Sequence, residues 1–315
     1  MTEGKLSIGM VGLGRMGANM CRRLARAGVL VHGFDTSADA RAALRDEPGV
    51  RTHDSLAQLL DALAPASPGD GARLVWLMLP AGEITDAALD ASWTRLARGD
   101  VVVDGGNANY RDSQRRAARA AQQGIGFVDC GVSGGVWGLA NGYCLSLGGE
   151  PRAVACVEPF ARLLAPSGDD GWLHCGPSGA GHFVKMIHNG IEYGMMQAIA
   201  EGFALLEGRK EFGVDLAGVA RLWQQGSVIR SWLLDLTADA LREPQALESV
   251  APFVADSGEG RWTIDEAVRQ GTPAPVIALA LMSRFDSQGR ADTANRLLSL
   301  MRKGFGGHPV KKGEA

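Results

Sequence analysis

Cysteine is sparse and unpaired in this chain: Cys21, Cys130, Cys144, Cys156 and Cys175 are odd in number, and none stands in a CxxC pair. That pattern speaks against a disulfide framework or a cysteine zinc site and predicts reduced thiols, several of them small core residues in apolar runs. Neither sign of charge dominates: the net charge is −3 and the pI about 6.1. A nucleic-acid or anionic-membrane partner is therefore not expected, and an anionic substrate would have to be met by local arginines or lysines. No uninterrupted apolar run reaches transmembrane length. The opening MTEGKLSIGMVGLG leads straight into a strand and a glycine turn, so no signal peptide is read and a cytoplasmic location is expected. No His/Cys/Asp cluster has metal-ligand spacing, and no metal is expected.

What is present is an ordinary globular composition, 46% hydrophobic and 21% charged over 315 residues, enough for about two domains. Residues 6–11 read as a buried strand, followed at once by Gly12-Leu13-Gly14-Arg15-Met16-Gly17 and a helix pattern that Gly28 stops. GxGxxG between a strand and a helix lets backbone N–H groups approach a pyrophosphate at the helix N-terminus. The next strand, residues 29–34, ends at Asp35, about twenty residues past the glycines. A carboxylate there accepts from a ribose 2′-OH and repels a 2′-phosphate, and Thr36 and Ser37 follow instead of an Arg. The reading is NAD over NADP, with a plain helix cap as the competing role for Asp35.

Strand and helix patterns then alternate: strands at 50–53, 74–79, 100–104 and 125–129, helices at 54–63, 84–97 and 110–123, then strands at 143–148 and 171–175 around a helix at 153–164. Repeated winding of this kind predicts a parallel sheet with helices on both faces and ligands at the strands' carboxyl ends. Those ends carry Leu79-Pro80-Ala81, Asp104-Gly105-Gly106-Asn107 and Cys130-Gly131-Val132-Ser133-Gly134-Gly135. Asn107 and Ser133, each beside two glycines, read as groups presented to a ligand or as turn chemistry. The expected architecture is an α/β Rossmann-type doubly wound N-terminal domain, residues 1–177, and an all-α C-terminal domain, residues 178–315.

The second domain opens on a helix expected over residues 178–207, capped by Ser178 and apolar nearly all round, as a buried helix is. Lys185, His188, Asn189 and Glu192 interrupt it on one face, Lys185 and Glu192 two turns and only about 20° out of register. A buried Lys and Glu need a reason: a structural ion pair, or a site. Further helices are expected at 216–222, 228–241, 246–250, 263–270, 276–284 and 291–303, with Trp223, Trp232 and Trp262 as core. The run Gly304-Phe305-Gly306-Gly307-His308-Pro309 is not expected to continue a helix.

These residues resemble the decarboxylating 6-phosphogluconate dehydrogenases, of the shorter NAD-preferring type. The resemblance rests on Gly12–Gly17 with Asn19, on Asp104-Gly105-Gly106-Asn107, on Val132-Ser133-Gly134-Gly135, on Gly260-Arg261-Trp262-Thr263 and on the tail from Arg302 to His308. Above all it rests on the run from Lys185-Met186-Ile187-His188-Asn189 through Glu192-Tyr193. It implies Lys185 as general base and Glu192 as general acid, with Asn107, Ser133, Gly134, Gly135, His188, Asn189 and Tyr193 at the substrate and Arg284 on its phosphate. It also implies Arg302 and His308 reaching the active site of a partner subunit, hence a homo-oligomer, dimer or tetramer. Ser257 and Glu259 stand where that family has lysine and threonine, and Val136-Trp137-Gly138 is the short type's version of the stretch after Ser-Gly-Gly. The implied reaction is oxidation and decarboxylation of 6-phospho-D-gluconate to D-ribulose 5-phosphate with reduction of NAD. A 3-hydroxyisobutyrate-type dehydrogenase, which does not decarboxylate, is the alternative; the run His188-Asn189 with Glu192 argues against it.

Overall fold

The computed structural model of the chain describes residues 6–67, 71–243, 247–306, 309 and 311. The chain divides into two compact units, Met1–Met186 and Ile187–Ala315.

The first unit winds around eight strands. In chain order they are β1 (Ser7–Val11), β2 (Leu30–Phe34), β3 (Val50–Thr52), β4 (Leu74–Leu77), β5 (Val101–Asp104), β6 (Gly126–Ser133), β7 (Cys144–Gly149) and β8 (Trp172–Gly176), laid out as 3-2-1-4-5-6-7-8. The helices between them are α1 (Arg15–Arg26), α2 (Ala38–Ala42), α3 (Leu56–Ala62), α4 (Glu83–Trp93), α5 (Tyr110–Gln122), α6 (Gly138–Asn141) and α7 (Pro151–Leu164). β1, β4 and β5 are buried along their whole length, as central parallel strands covered on both faces must be. One apolar layer gathers Met20, Leu24, Trp76 and Phe160, the other Leu59, Leu60, Leu77 and Trp93. The winding reverses between β1 and β4, which places the ligand crevice of such a sheet at their carboxyl ends.

Two features depart from the expected all-parallel winding. β6 and β7 pair antiparallel, from Val128 opposite Gly149 to Ser133 opposite Cys144. Only residues 134–143 join them, a 3-10 turn (Gly135–Trp137) and the single turn α6, too short for a crossover to a parallel neighbour. That pairing also carries β6 on to Ser133 instead of ending near Asp129, so Gly131 and Ser133 are strand residues.

A long helix, α8 (Ala180–Gly208), runs from the first unit into the second without a break. Ser178 does not cap it. The Asp129 carboxylate of β6 accepts from the amides of Gly179 (2.5 Å) and His182 (2.8 Å) and fills that role. Nor is α8 apolar-buried throughout, for Ile191, Met195, Met196 and Leu205 are exposed.

The second unit is helical, as expected: a 3-10 turn (Lys210–Phe212), then α9 (Leu216–Trp223), α10 (Trp232–Ala240), α11 (Glu259–Gln270), α12 (Pro275–Ser287) and α13 (Asp292–Gly306). α10 starts four residues later than its apolar pattern suggests. Ser231 Oγ accepts from Leu234 N (3.2 Å) to cap it there, while Val228 is almost fully exposed. α11 begins earlier, at Glu259, and α13 continues through Gly304 to Gly306 despite its glycines. Trp223 packs edge-on against Phe203 in a small core with Ala220 and Leu234; Trp232, by contrast, is half exposed. A second core gathers Tyr193, Ala280 and Leu281.

Candidate active site

The glycine turn after β1 is built to admit a phosphate. Gly12 has a φ of +93°, and a Cβ there would overlap Met78 O, while one on Gly17 would fall on Gly12 O. Those two glycines close the turn and seat α1 on it. Gly14, the N-cap residue of α1, faces open space instead. The helix start has no side-chain cap and no acidic residue in its first turn, so its N–H groups and positive dipole end are available to an anion. The residues present therefore fit a dinucleotide pyrophosphate. Leu13, Arg15 and Met16 complete this turn, and Asp35 closes it from β2: its Oδ2 accepts from Leu13 N (2.7 Å) and its Oδ1 from Ser37 N (2.8 Å). Asp35 thus braces the turn and the start of α2 together, and Ser37 caps that helix itself. Arg41 donates to the carbonyls of Asp35 (2.8 Å) and Thr36 (3.3 Å) and is tied to Asp54.

The neighbouring strand ends come to the same edge. Gly106 lies so close to Leu79 that a Cβ would sit 2.5 Å from its carbonyl, which sets Leu79-Pro80-Ala81 beside the loop that presents Asn107. A group invisible to motif reading holds these two loops. The guanidinium of Arg116, on α5, is buried and bonds Asp104 (2.8 Å), Asp86 (2.7 Å) and Gly82 O (3.2 Å). Asp104 in turn accepts from Gly106 N (3.2 Å). Hydrogen bonding from Arg116 holds the Asp86 carboxyl below the usual carboxylate range against a burial penalty.

At the far end of β6, Asn19 of α1 donates to Val136 O (3.3 Å), joining the nucleotide helix to the loop that carries Ser133, Gly134 and Gly135. Lys185 belongs to this edge. Its Cβ rests against Gly131, where no side chain fits between strand and helix. Asp129, two residues before, is fully buried; burial pushes its carboxyl up, and His182 with the two capping amides pulls the other way. His182 Nδ1 shares a hydrogen bond with Ser113 Oγ (2.7 Å) on α5.

In the second unit, His188, Asn189 and Glu192 lie on one side of α8: His188 Nδ1 is 3.1 Å from Asn189 Oδ1 and 3.9 Å from Glu192 Oε2. They are not buried as the sequence suggests, for the side chains of His188 and Glu192 are 48% and 41% exposed. Tyr193 is buried beside them, and the Arg284 guanidinium lies 3.3 Å from its ring centroid; the Tyr193 hydroxyl is buried with no hydrogen-bond partner among the described residues. Arg284 also donates to Ala255 O (2.9 Å). Ser257 donates to Glu259 Oε2 (2.6 Å), and Asp256 pairs with Arg261. Arg302 is exposed on α13, and His308 lies outside the described residues.

Residues 7–169 match the NAD binding domain of 6-phosphogluconate dehydrogenase, and residues 181–309 its C-terminal domain. The chain is 44% identical to an NAD(+)-dependent, decarboxylating 6-phosphogluconate dehydrogenase of Haloferax volcanii, over 98% of this chain and 99% of that one. Among solved structures it is similar to the 6-phosphogluconate dehydrogenase of Plasmodium falciparum, with a TM-score of 0.81, 25% identity, and coverage of 98% of this chain and 67% of that one. A 3-hydroxyisobutyrate dehydrogenase of Mycobacterium tuberculosis shares the fold at a TM-score of 0.69 and 24% identity, over 92% of this chain and 94% of that one. The chain belongs to the 6-phosphogluconate dehydrogenase family.

Proposed function

We propose that the chain oxidises and decarboxylates 6-phospho-D-gluconate to D-ribulose 5-phosphate, with NAD as the hydride acceptor. One observation carries the reading: a single helix presents Lys185 where it leaves β6 and, two turns on, Glu192 beside His188 and Asn189. The turn Gly12–Gly17 holds the pyrophosphate, and Asp35, its two oxygens already oriented by Leu13 and Ser37, accepts from the adenosine ribose. Leu79, Pro80, Ala81 and Asn107 line the nicotinamide end. NAD, when bound, supplies the acceptor for the hydride from C3 of the sugar acid.

The chain's own residues do the rest. Lys185 takes the C3 hydroxyl proton as the hydride leaves. As an ammonium it then stabilises the enolate oxygen while carbon dioxide departs. Glu192, about 10 Å further along the helix by its rise, protonates the enolate carbon, C2 of the sugar acid and C1 of the product, to finish the tautomerisation. Asn107, Ser133, Gly134, Gly135, His188 and Asn189 orient the substrate. Tyr193, with its unmatched buried hydroxyl, and the stacked Arg284 take the phosphate, Ser257 and Glu259 being already bonded to each other.

The assembly we infer is a homo-oligomer whose tail, with Arg302 and His308, completes a neighbour's site. The support is apolar: Leu297, Leu298, Leu300 and Met301 of α13 are each more than half exposed, a face that water does not favour.

The roles of the pair separate in one experiment. Lys185→Met should lower NADH formation by 10³-fold or more. Glu192→Gln should lower turnover about 10²-fold, yet still decarboxylate added 3-keto acid, because only the final protonation is lost. Near-normal turnover of Lys185→Met removes lysine as the base.

A further inference from the structure

Asp129, Gly131 and Ser133 alternate along β6 and so share one face of the sheet. Each performs a different task there. Asp129 accepts from the amides of Gly179 and His182 at the start of α8. Gly131 receives the Cβ of Lys185 one turn later, and Ser133 is the residue assigned to substrate above. Opposite them on β7, Ser146 Oγ donates to Gly181 O (2.8 Å), and a Cβ on Gly148 would meet Gly181 N at 2.5 Å. The helix backbone therefore lies directly on two strands, held at the amide end by Asp129 and at a carbonyl by Ser146.

We propose that Asp129 is a positioning residue for Lys185: its carboxylate fixes where α8 begins along the β6 face, and thereby the height of Lys185 above Gly131 and its spacing from Ser133. The inference rests on the reading of Lys185 as the base. Contact geometry gives the reason. The capping bonds and the Lys185 contact are separated by a single turn of a rigid helix, so a shift at the cap is passed to Lys185 nearly undiminished. Catalytic distances tolerate little of this, since a misplacement of about 1 Å can cost on the order of 10²-fold. Asparagine at 129 keeps one acceptor but turns an NH2 toward one of the two amides, which drives that end of the helix outward.

The test compares Asp129→Asn, Ser146→Ala and Lys185→Met in the full chain. Turnover is normalised to NAD-binding sites titrated by fluorescence, and the primary isotope effect is read with substrate deuterated at C3. Asp129→Asn is expected to lower kcat at least tenfold, to raise the isotope effect as proton and hydride transfer become limiting, and to leave the NAD Kd within twofold. A role confined to stability would lower Tm without moving kcat per site or the isotope effect, and that result overturns the proposal. Should Asp129→Asn yield no folded protein, Ser146→Ala decides: a loss of threefold or more in kcat with a raised isotope effect supports it, and unchanged values overturn it. Wild-type activity in Lys185→Met would sink the base assignment itself, an outcome separate from an active Asp129→Asn beside a dead Lys185→Met.

Discussion

His32, midway along β2, and His53, just after β3, face each other, with Nδ1 of the first 2.9 Å from Nε2 of the second and their rings stacked 5.1 Å apart. Burial, followed by the charges of His53 and Arg51, lowers His32 from 6.5 to about 4. The linkage has a definite sign. The unfolded chain takes up a proton below pH 6.5 while the folded chain refuses it until about pH 4. Stability from this pair is therefore complete above 6.5 and lost as the pH falls toward 4. At most about 1.5 kcal/mol should go between pH 6.5 and 5, and less where solvent screens the pair. Melting curves at the two pH values should show a smaller acid loss in His32→Leu than in the parent chain; equal losses would contradict this. None of it could be read in the sequence, where His32 and His53 are lone histidines in separate strands. Gly12, Gly14 and Gly17 were legible because their task is local, set within six residues. Asp129 was not, because the amides it satisfies lie 50 and 53 positions on.

Among elements, the loops after β4 and β5 depend on a helix neither contains. Arg116 on α5 is buried with Asp104, and Asp86 and Gly82 O complete its fork. Removing one partner of such a group leaves an uncompensated buried charge, which costs about 3–5 kcal/mol. Arg116→Met should lower the urea midpoint accordingly and weaken NAD binding, since the loops of Leu79 and Asn107 lose their common anchor. A change under about 1 kcal/mol would mean that the network contributes little. The strand and helix order of the first unit was legible because buried strands and glycine turns alternate. The antiparallel β7 was not, since periodicity reports that a strand exists and not which way it runs. The length of β6 was hidden for a related reason: Gly131 reads as a turn residue until the helix pressed against it is known. The cap of α8 was misread as Ser178 because a nearby hydroxyl is the usual solution, whereas this helix borrows a carboxylate from the sheet.

At the scale of the molecule, the helical unit leaves large apolar side chains exposed: Ile191, Met195 and Leu205 on α8, and Leu297, Leu298, Leu300 and Met301 on α13. The sequence suggested a buried α8, and these exposed residues are where the structure departs from that expectation; the homo-oligomer proposed above would cover them. Light scattering at micromolar concentration should give at least a dimer, and Leu298→Asp should shift it toward monomer with a loss of activity; an active monomer would dismiss the shared-site reading. The central claim is that one helix carries both the oxidation and the decarboxylation. The most direct test incubates the purified chain with 6-phosphogluconate and NAD, with NADP in parallel, and counts NADH and carbon dioxide together. The account predicts one carbon dioxide per NADH, with NAD preferred. Reduction of NAD with 3-hydroxyisobutyrate but not with 6-phosphogluconate, or NADH without carbon dioxide, would contradict it.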